Sequence, residues 1–172
     1  PSKPLRLVVP FVPGGSTDLI ARIIAQKLEE PLGQQVLVEN RAGAGGNIGL
    51  DYVAKSQPDG YTLLIGSIGM FAINPALFKE LRYDPQKDFD LISMIYKEGS
   101  LAVVVHPSVP AKDLRELAQL LRTQPQLQYN YGSTGPGSAV HVLGEAFKRE
   151  AKVDMQHVPF KGAAPLKQEL MA

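Results

Sequence analysis

Three loops in this sequence have the composition that captures anions: Pro13-Gly14-Gly15-Ser16-Thr17-Asp18, Gly66-Ser67-Ile68-Gly69 and Gly132-Ser133-Thr134-Gly135-Pro136-Gly137-Ser138. Each comes directly before a stretch patterned as a helix. The first N–H groups of a helix have no internal partner and lie at the positive end of its dipole, so they attract a carboxylate or phosphate. Glycine removes the Cβ that would hold a ligand away from the backbone, and Ser16, Thr17, Ser67, Ser133, Thr134 and Ser138 add neutral hydroxyl donors. A single loop of this kind is equally a plain strand-to-helix turn with a Ser or Thr cap. Three of them, spread over both halves of the chain, fit a two-lobed clamp around an anion.

Two residues near these loops keep two readings each. Asp18, in a first helical turn, is favoured by the dipole but would repel an anion held at the same end. It is either a capping and loop-bracing residue or, for a solute carrying an ammonium group, a direct contact. His141, in the first turns of the helix after Ser138, either lines the cleft or packs beneath the loop. His106 and His157, on or beside expected strands, read as structural.

Catalytic patterns fail one by one. Arg41 to Gly49, RAGAGGNIG, misses the dinucleotide spacing because Ile48 stands where the last glycine belongs. No loop carries a Walker lysine, neither Ile65–Gly69 nor Tyr131–Gly135 forms a G-x-S-x-G elbow, and the three histidines lack metal-site spacing. Cysteine is absent, which excludes disulfides and thiolate chemistry. The expectation is a binding protein, not an enzyme, with no catalytic residues, metal or cofactor.

The elements that must position these loops are legible from periodicity. Leu5 to Val12 is a short apolar run closed by Pro-Gly-Gly, which predicts a buried strand and a turn. Leu19, Ile20, Ile23, Ile24 and Leu28 then follow helical spacing, with Pro31 and Gly33 expected to stop the helix. Residues 34–40 predict a second strand, Asn47 onward a short helix, and 61–66 a third strand. The runs 91–96 and 101–106 predict two further strands separated by Lys97-Glu98-Gly99-Ser100. The pattern restarts with a helix at 111–123, a strand at 128–132, a helix at 139–150, a strand at 155–160 and a last helix after Gly162. Alternating strands and helices predict parallel sheets, where ligands gather at the carboxyl ends of strands.

Composition narrows the partners. The 172 residues are 44% hydrophobic and 20% charged with a net charge of +1, the balance of an ordinary globular protein with no field suited to nucleic acid.

The blocks PLRLVVPFVPGGSTDLIARIIAQKL, LGQQVLVENRAGAGGNIG, PDGYTLLIG, INPALF, YDPQKDF, YGSTGPGSAVHVLGEAFK and HVPFKG closely resemble the Bug family, periplasmic receptors of tripartite tricarboxylate transporters. The resemblance implies a type II periplasmic-binding-protein fold, with two α/β Venus-flytrap domains and a cleft that passes a small carboxylate (an amino-acid dicarboxylate, tricarboxylate or aromatic acid) to membrane permease subunits. It implies a periplasmic location. Carried onto this sequence, the family's cleft blocks give Phe11, Gly14, Gly15, Ser16, Thr17, Asp18, Ser67, Gly69, Ala72, Ser133, Thr134, Gly135, Ser138, His141 and Lys161 as ligand-binding residues. The expected domains are 1–98 and 99–172, each incomplete, because family members continue past the position of Ala172. A chain lacking that C-terminal part is expected to leave sheet edges uncovered and to self-associate, pair with a complementary fragment or relax. The alternative function is a sensor or adaptor domain of the same fold that signals to a partner protein.

Overall fold

The computed structural model describes residues 1–96 and 101–171. Strand β1, Leu5–Val9, is the middle of a three-stranded sheet, between β2, Val36–Asn40, and β3, Thr62–Leu64. Both neighbours are parallel to it, in registers that pair Leu5 with Val36 and Leu7 with Leu63. A strand covered on both faces needs a near-continuous apolar run, and LRLVV supplies one. Its single charge, Arg6, donates to the Tyr52 hydroxyl at 2.7 Å.

The pleat divides the core. Leu5, Leu7 and Val9 point to one face and pack with Ala21, Ala25, Val36 and Ile65. On the other, Leu64 joins a cluster of Leu50, Met70 and Tyr83. Helix α1, Ser16–Leu32, covers the first face and α2, Asn47–Ala54, supplies Leu50 to the second.

Helix α1 corrects the expected apolar stripe. Its side facing the sheet is Ala21 and Ala25 flanked by Ile24, Leu28 and Leu32, while Leu19 and Ile23 are 61% and 51% exposed. Small alanines let the helix axis approach the sheet, and packing rather than hydrophobicity alone selects the face. Pro31 does not stop the helix either. It lies in the last turn, where its missing N–H costs only one terminal bond, and Gly33 ends the helix in a left-handed conformation (φ 61°) with its N–H donated to Glu29 O.

After β3 the chain enters a π-helical turn, Gly69–Ile73, that runs into the short α3, Asn74–Leu77. The second sheet pairs β4, Asn130–Ser133, in parallel with β5, Gln156–Pro159. Around it lie α4, Leu114–Thr123, α5, Ala139–Ala151, and α6, Ala163–Leu170. Asp113 caps α4 by accepting from the Arg115 and Glu116 amides. Leu117, Leu121 and Met155 form a core with Tyr131 and Phe147, and Arg122 Nε ties α4 to Ala151 O at 2.8 Å.

The strands expected at 91–96 and 101–106 do not form. Leu91, Ile92 and Met94 are 81%, 80% and 78% exposed, and Val103 and Val104 are also mostly exposed. A strand is defined by its hydrogen-bonded neighbour, and among the described residues none pairs with either run. The expected crossing at 97–100, and with it the domain boundary at 98/99, lies outside the described residues.

The two faces of the first sheet give a direct stability test. Leu50 is fully buried on the second face, so Leu50→Ala should cost about 2–5 kcal/mol through lost burial and a residual cavity. Urea denaturation monitored by circular dichroism measures this.

Candidate functional site

Parallel pairing brings the loops after β1, β2 and β3 to one edge of the first sheet, and those after β4 and β5 to one edge of the second. These two sets of loops meet. Gly15 lies against Ala163 at the start of α6, with a Cβ built on Gly15 coming 3.9 Å from the Ala163 nitrogen. Beside it, Val12 N–H donates to Lys161 O at 3.3 Å.

At the other contacts the backbones touch. A Cβ on Gly45 would collide with the Pro136 carbonyl oxygen, and one on Gly137 would collide with the Asn74 side chain. Both glycines also have positive φ, 65° and 78°, a region other residues avoid. A Cβ on Gly69 would come 2.7 Å from Gly137 O.

The loop after β1 is organised by Asp18, which is 4% exposed. Its carboxylate accepts from Gly14 N–H at 3.0 Å, from Arg22 Nε at 3.0 Å and Nη2 at 3.1 Å, and from Asn40 Nδ2 at 2.9 Å. Burial works to raise its pKa, but the hydrogen bonds from Arg22, Gly14 and Asn40 outweigh it and hold the carboxyl below its ordinary value. Asn40 Nδ2 also donates to Phe11 O at 3.0 Å, which links the ends of β1 and β2.

The loop after β4 turns inward. Ser133 is fully buried, and its Oγ accepts from Gly135 N–H at 3.1 Å and lies 2.7 Å from His157 Nε2. Ser138 caps α5 by accepting from His141 N–H at 3.3 Å, and Gly137 N–H donates to His141 Nδ1 at the same distance. Burial, then the neighbouring His141, pushes the His157 imidazole pKa down. The Tyr131 phenol is pushed up by burial and by Glu145, whose carboxylate accepts its O–H at 2.5 Å.

The residues named from sequence thus fall into groups. The block from Phe11 to Asp18 meets Lys161, Gly69 meets Gly137 and Ser138, Thr134 and Gly135 lie in the loop that begins at Ser133, and His141, in the first turn of α5, bonds that loop at Gly137. Gly14, Ser16, Ser67, Ala72 and Lys161 are exposed; Gly15, Thr17, Thr134 and Ser138 are half-buried. Ser133 and Asp18 are committed to protein partners.

Sequence reasoning missed three contributors. The loop Gly43–Gly46, set aside as a failed dinucleotide motif, sits at the carboxyl end of β2 and touches Pro136. Its signal was the same as in the other loops, glycines between a strand and a helix. Asn47 Oδ1 accepts from Asn74 Nδ2 at 2.6 Å and from the Tyr83 hydroxyl at 2.8 Å, a buried link with no sequence signature. His157, read as structural, reaches the Ser133 hydroxyl.

The family of tripartite tricarboxylate transporter receptors, TctC, matches residues 20–172. BugT of Bordetella pertussis is 37% identical over 172 residues, spanning 99% of this chain and 52% of its own length. A solved periplasmic transporter structure is 43% identical with a TM-score of 0.86, over 99% of this chain and 56% of its own. MatC from Rhodopseudomonas palustris, solved with bound malate, is 34% identical with a TM-score of 0.86, over 99% of this chain and 57% of its own. The chain spans about half the length of the curated relatives it matches. Its α/β fold is that of the periplasmic binding proteins, and its sequence, matched over most of its length, makes it a member of the TctC family of tripartite tricarboxylate transporter receptors, the Bug-type receptors.

Proposed function

We propose that this chain captures a small carboxylate between its two sets of strand-end loops, as part of a periplasmic receptor that delivers the solute to the permease subunits of a tripartite transporter without chemical change. The observation that carries this reading is the meeting of the loops after β1, β2 and β3 with those after β4 and β5. Two domains, 1–98 and 99–172, would bear the opposing loops. The related MatC holds malate, a small carboxylate outside the three kinds named from the sequence, which supports the coarser class alone.

The conflict posed by Asp18 is resolved by its partners. Arg22 neutralises the carboxylate and Gly14 and Asn40 fill its lone pairs, so the start of α1 stays receptive to an anion. Asp18 acts as the brace of the loop. Direct contacts fall to the backbone and side chains of Gly14, Gly15, Ser16, Thr17, Ser67, Gly69, Ala72, Thr134, Gly135 and Ser138, with Phe11 and Lys161 beside them. Ser133 and His141 support the loop from within.

Calorimetry of the full-length protein against mono-, di- and tricarboxylates, with sugars and amines as controls, should find one site per chain that takes an acid. Stabilisation by the controls alone overturns the reading. Gly15 has ordinary extended backbone and faces the start of α6, so Gly15→Val should fold and yet weaken that binding about tenfold or more, roughly 1.4 kcal/mol. Equal affinity would remove this loop from the site.

The brace makes a pH prediction. The folded Asp18 carboxyl lies below its ordinary value, so its contribution is present above the unfolded pKa of about 3.9 and is lost as pH falls through the folded pKa. The stability gap between the wild type and Asp18→Asn should therefore be widest near pH 7 and narrow below pH ~4. Denaturation curves at a series of pH values read it directly.

A further inference from the structure

Three flat rings stack beneath the loop that follows β4. The centroids of Tyr131 and His157 are 4.9 Å apart with planes 25° from parallel, and those of His157 and His141 are 4.1 Å apart at 18°. The imidazoles hold opposite ends of the loop. His157 Nε2 lies 2.7 Å from Ser133 Oγ, and His141 Nδ1 accepts from Gly137 N–H at 3.3 Å.

Hydrogen-bond chemistry constrains their protonation. An Nδ1 that accepts an amide hydrogen carries no proton of its own. Ser133 Oγ accepts from Gly135 N–H, and its single hydrogen has two acceptors in reach, a bare His157 Nε2 or Gly135 O at 3.2 Å. A protonated His157 Nε2 becomes a donor to Ser133 Oγ, sends the hydroxyl hydrogen to Gly135 O and leaves the contact in place. Protonating His141 at Nδ1 sets one N–H against another and releases Gly137. Two cations in contact would also repel each other.

The charges around the stack do not cancel this effect. Helix α5 presents Glu145 and Lys148, but Glu145 accepts from Tyr131 and from Lys148 Nζ at 3.3 Å, and Lys148 Nζ stands 5.9 Å from the Tyr131 ring. Strand β4 presents the Tyr131 phenol, and α6 presents apolar Leu166 across Gly132. The depressed His157 pKa agrees with an uncharged ring at that position.

We infer that His141, stacked on His157, is a positioning residue that locks the 133–138 loop through an unprotonated Nδ1, so that a proton taken up on that nitrogen unlocks it. Gly137 carries the effect outward, because it packs against Gly69 and Asn74 on the facing loops. The regulatory role rests on reading this loop as part of the carboxylate site, whereas the lock itself is measurable without any solute.

Nitrogen-15 spectra of the histidine rings and amide hydrogen exchange, on full-length solute-free protein at pH 7.5 and 5.5, test it. At pH 7.5 His141 Nδ1 should be unprotonated. Protection of Gly137, corrected for intrinsic exchange, should fall about tenfold at pH 5.5. The variant His141→Asn with His157→Gln places non-titrating amides near the acceptor positions and should keep that protection. A protonated His141 Nδ1 at pH 7.5, wild-type protection indifferent to pH, or an equal fall in the variant overturns the proposal. Should the variant fail to fold, the wild-type ring spectra and protection decide alone. Failure of carboxylates to bind would count against the functional reading and leave these measurements unchanged.

Discussion

Parallel pairing of β1 with β2 on one side and β3 on the other is the constraint from which the rest follows. Parallel strands need crossovers, and each crossover here is a helix that begins beyond the carboxyl end of a strand. Every such loop is therefore delivered to the same edge with its helix N-terminus facing outward. The order β2-β1-β3 also makes the connection from β1 to β2 and the next, from β2 across β1 to β3, run in opposite directions along the sheet, the topology that places a crevice at that edge. The second sheet repeats the rule with two strands.

Close backbone approach then decides which residues are tolerated where the loops meet. Gly45 against Pro136 and Gly137 against Asn74 leave no room for a Cβ, so the interface is written in glycine rather than in complementary side chains. Apolar groups flank these contacts, with Val12 beside Gly162 and Ala163 beside Gly15.

Electrostatics at the site are handled inside the protein. Asp18, the acid placed to conflict with an anion, is surrounded by Arg22, Asn40 and the Gly14 amide, and the two stacked imidazoles hydrogen-bond Ser133 and Gly137 beneath their loop. The loops thus present backbone dipoles and hydroxyls at the starts of their helices, groups suited to an anion.

The sequence by itself determined the alternation of strands and helices, because apolar runs of period two and 3.6 and the Pro-Gly punctuation are local signals. The helix starts at Ser16, Asn47, Ala139 and Ala163 were all readable in this way, as was the anion-seeking composition of the loops after β1, β3 and β4. Only tertiary structure decided the face of α1, where Ala21 and Ala25 displaced Leu19 and Ile23 from the sheet. It also decided that the apolar runs at 91–96 and 101–106 are not strands here, since a ladder requires a neighbour that composition cannot supply. The bonds of Ser133 to His157 and of Asn47 to Asn74 and Tyr83 join residues 24, 27 and 36 positions apart. Contacts at such separations depend on how the sheets pack, and no local periodicity encodes them.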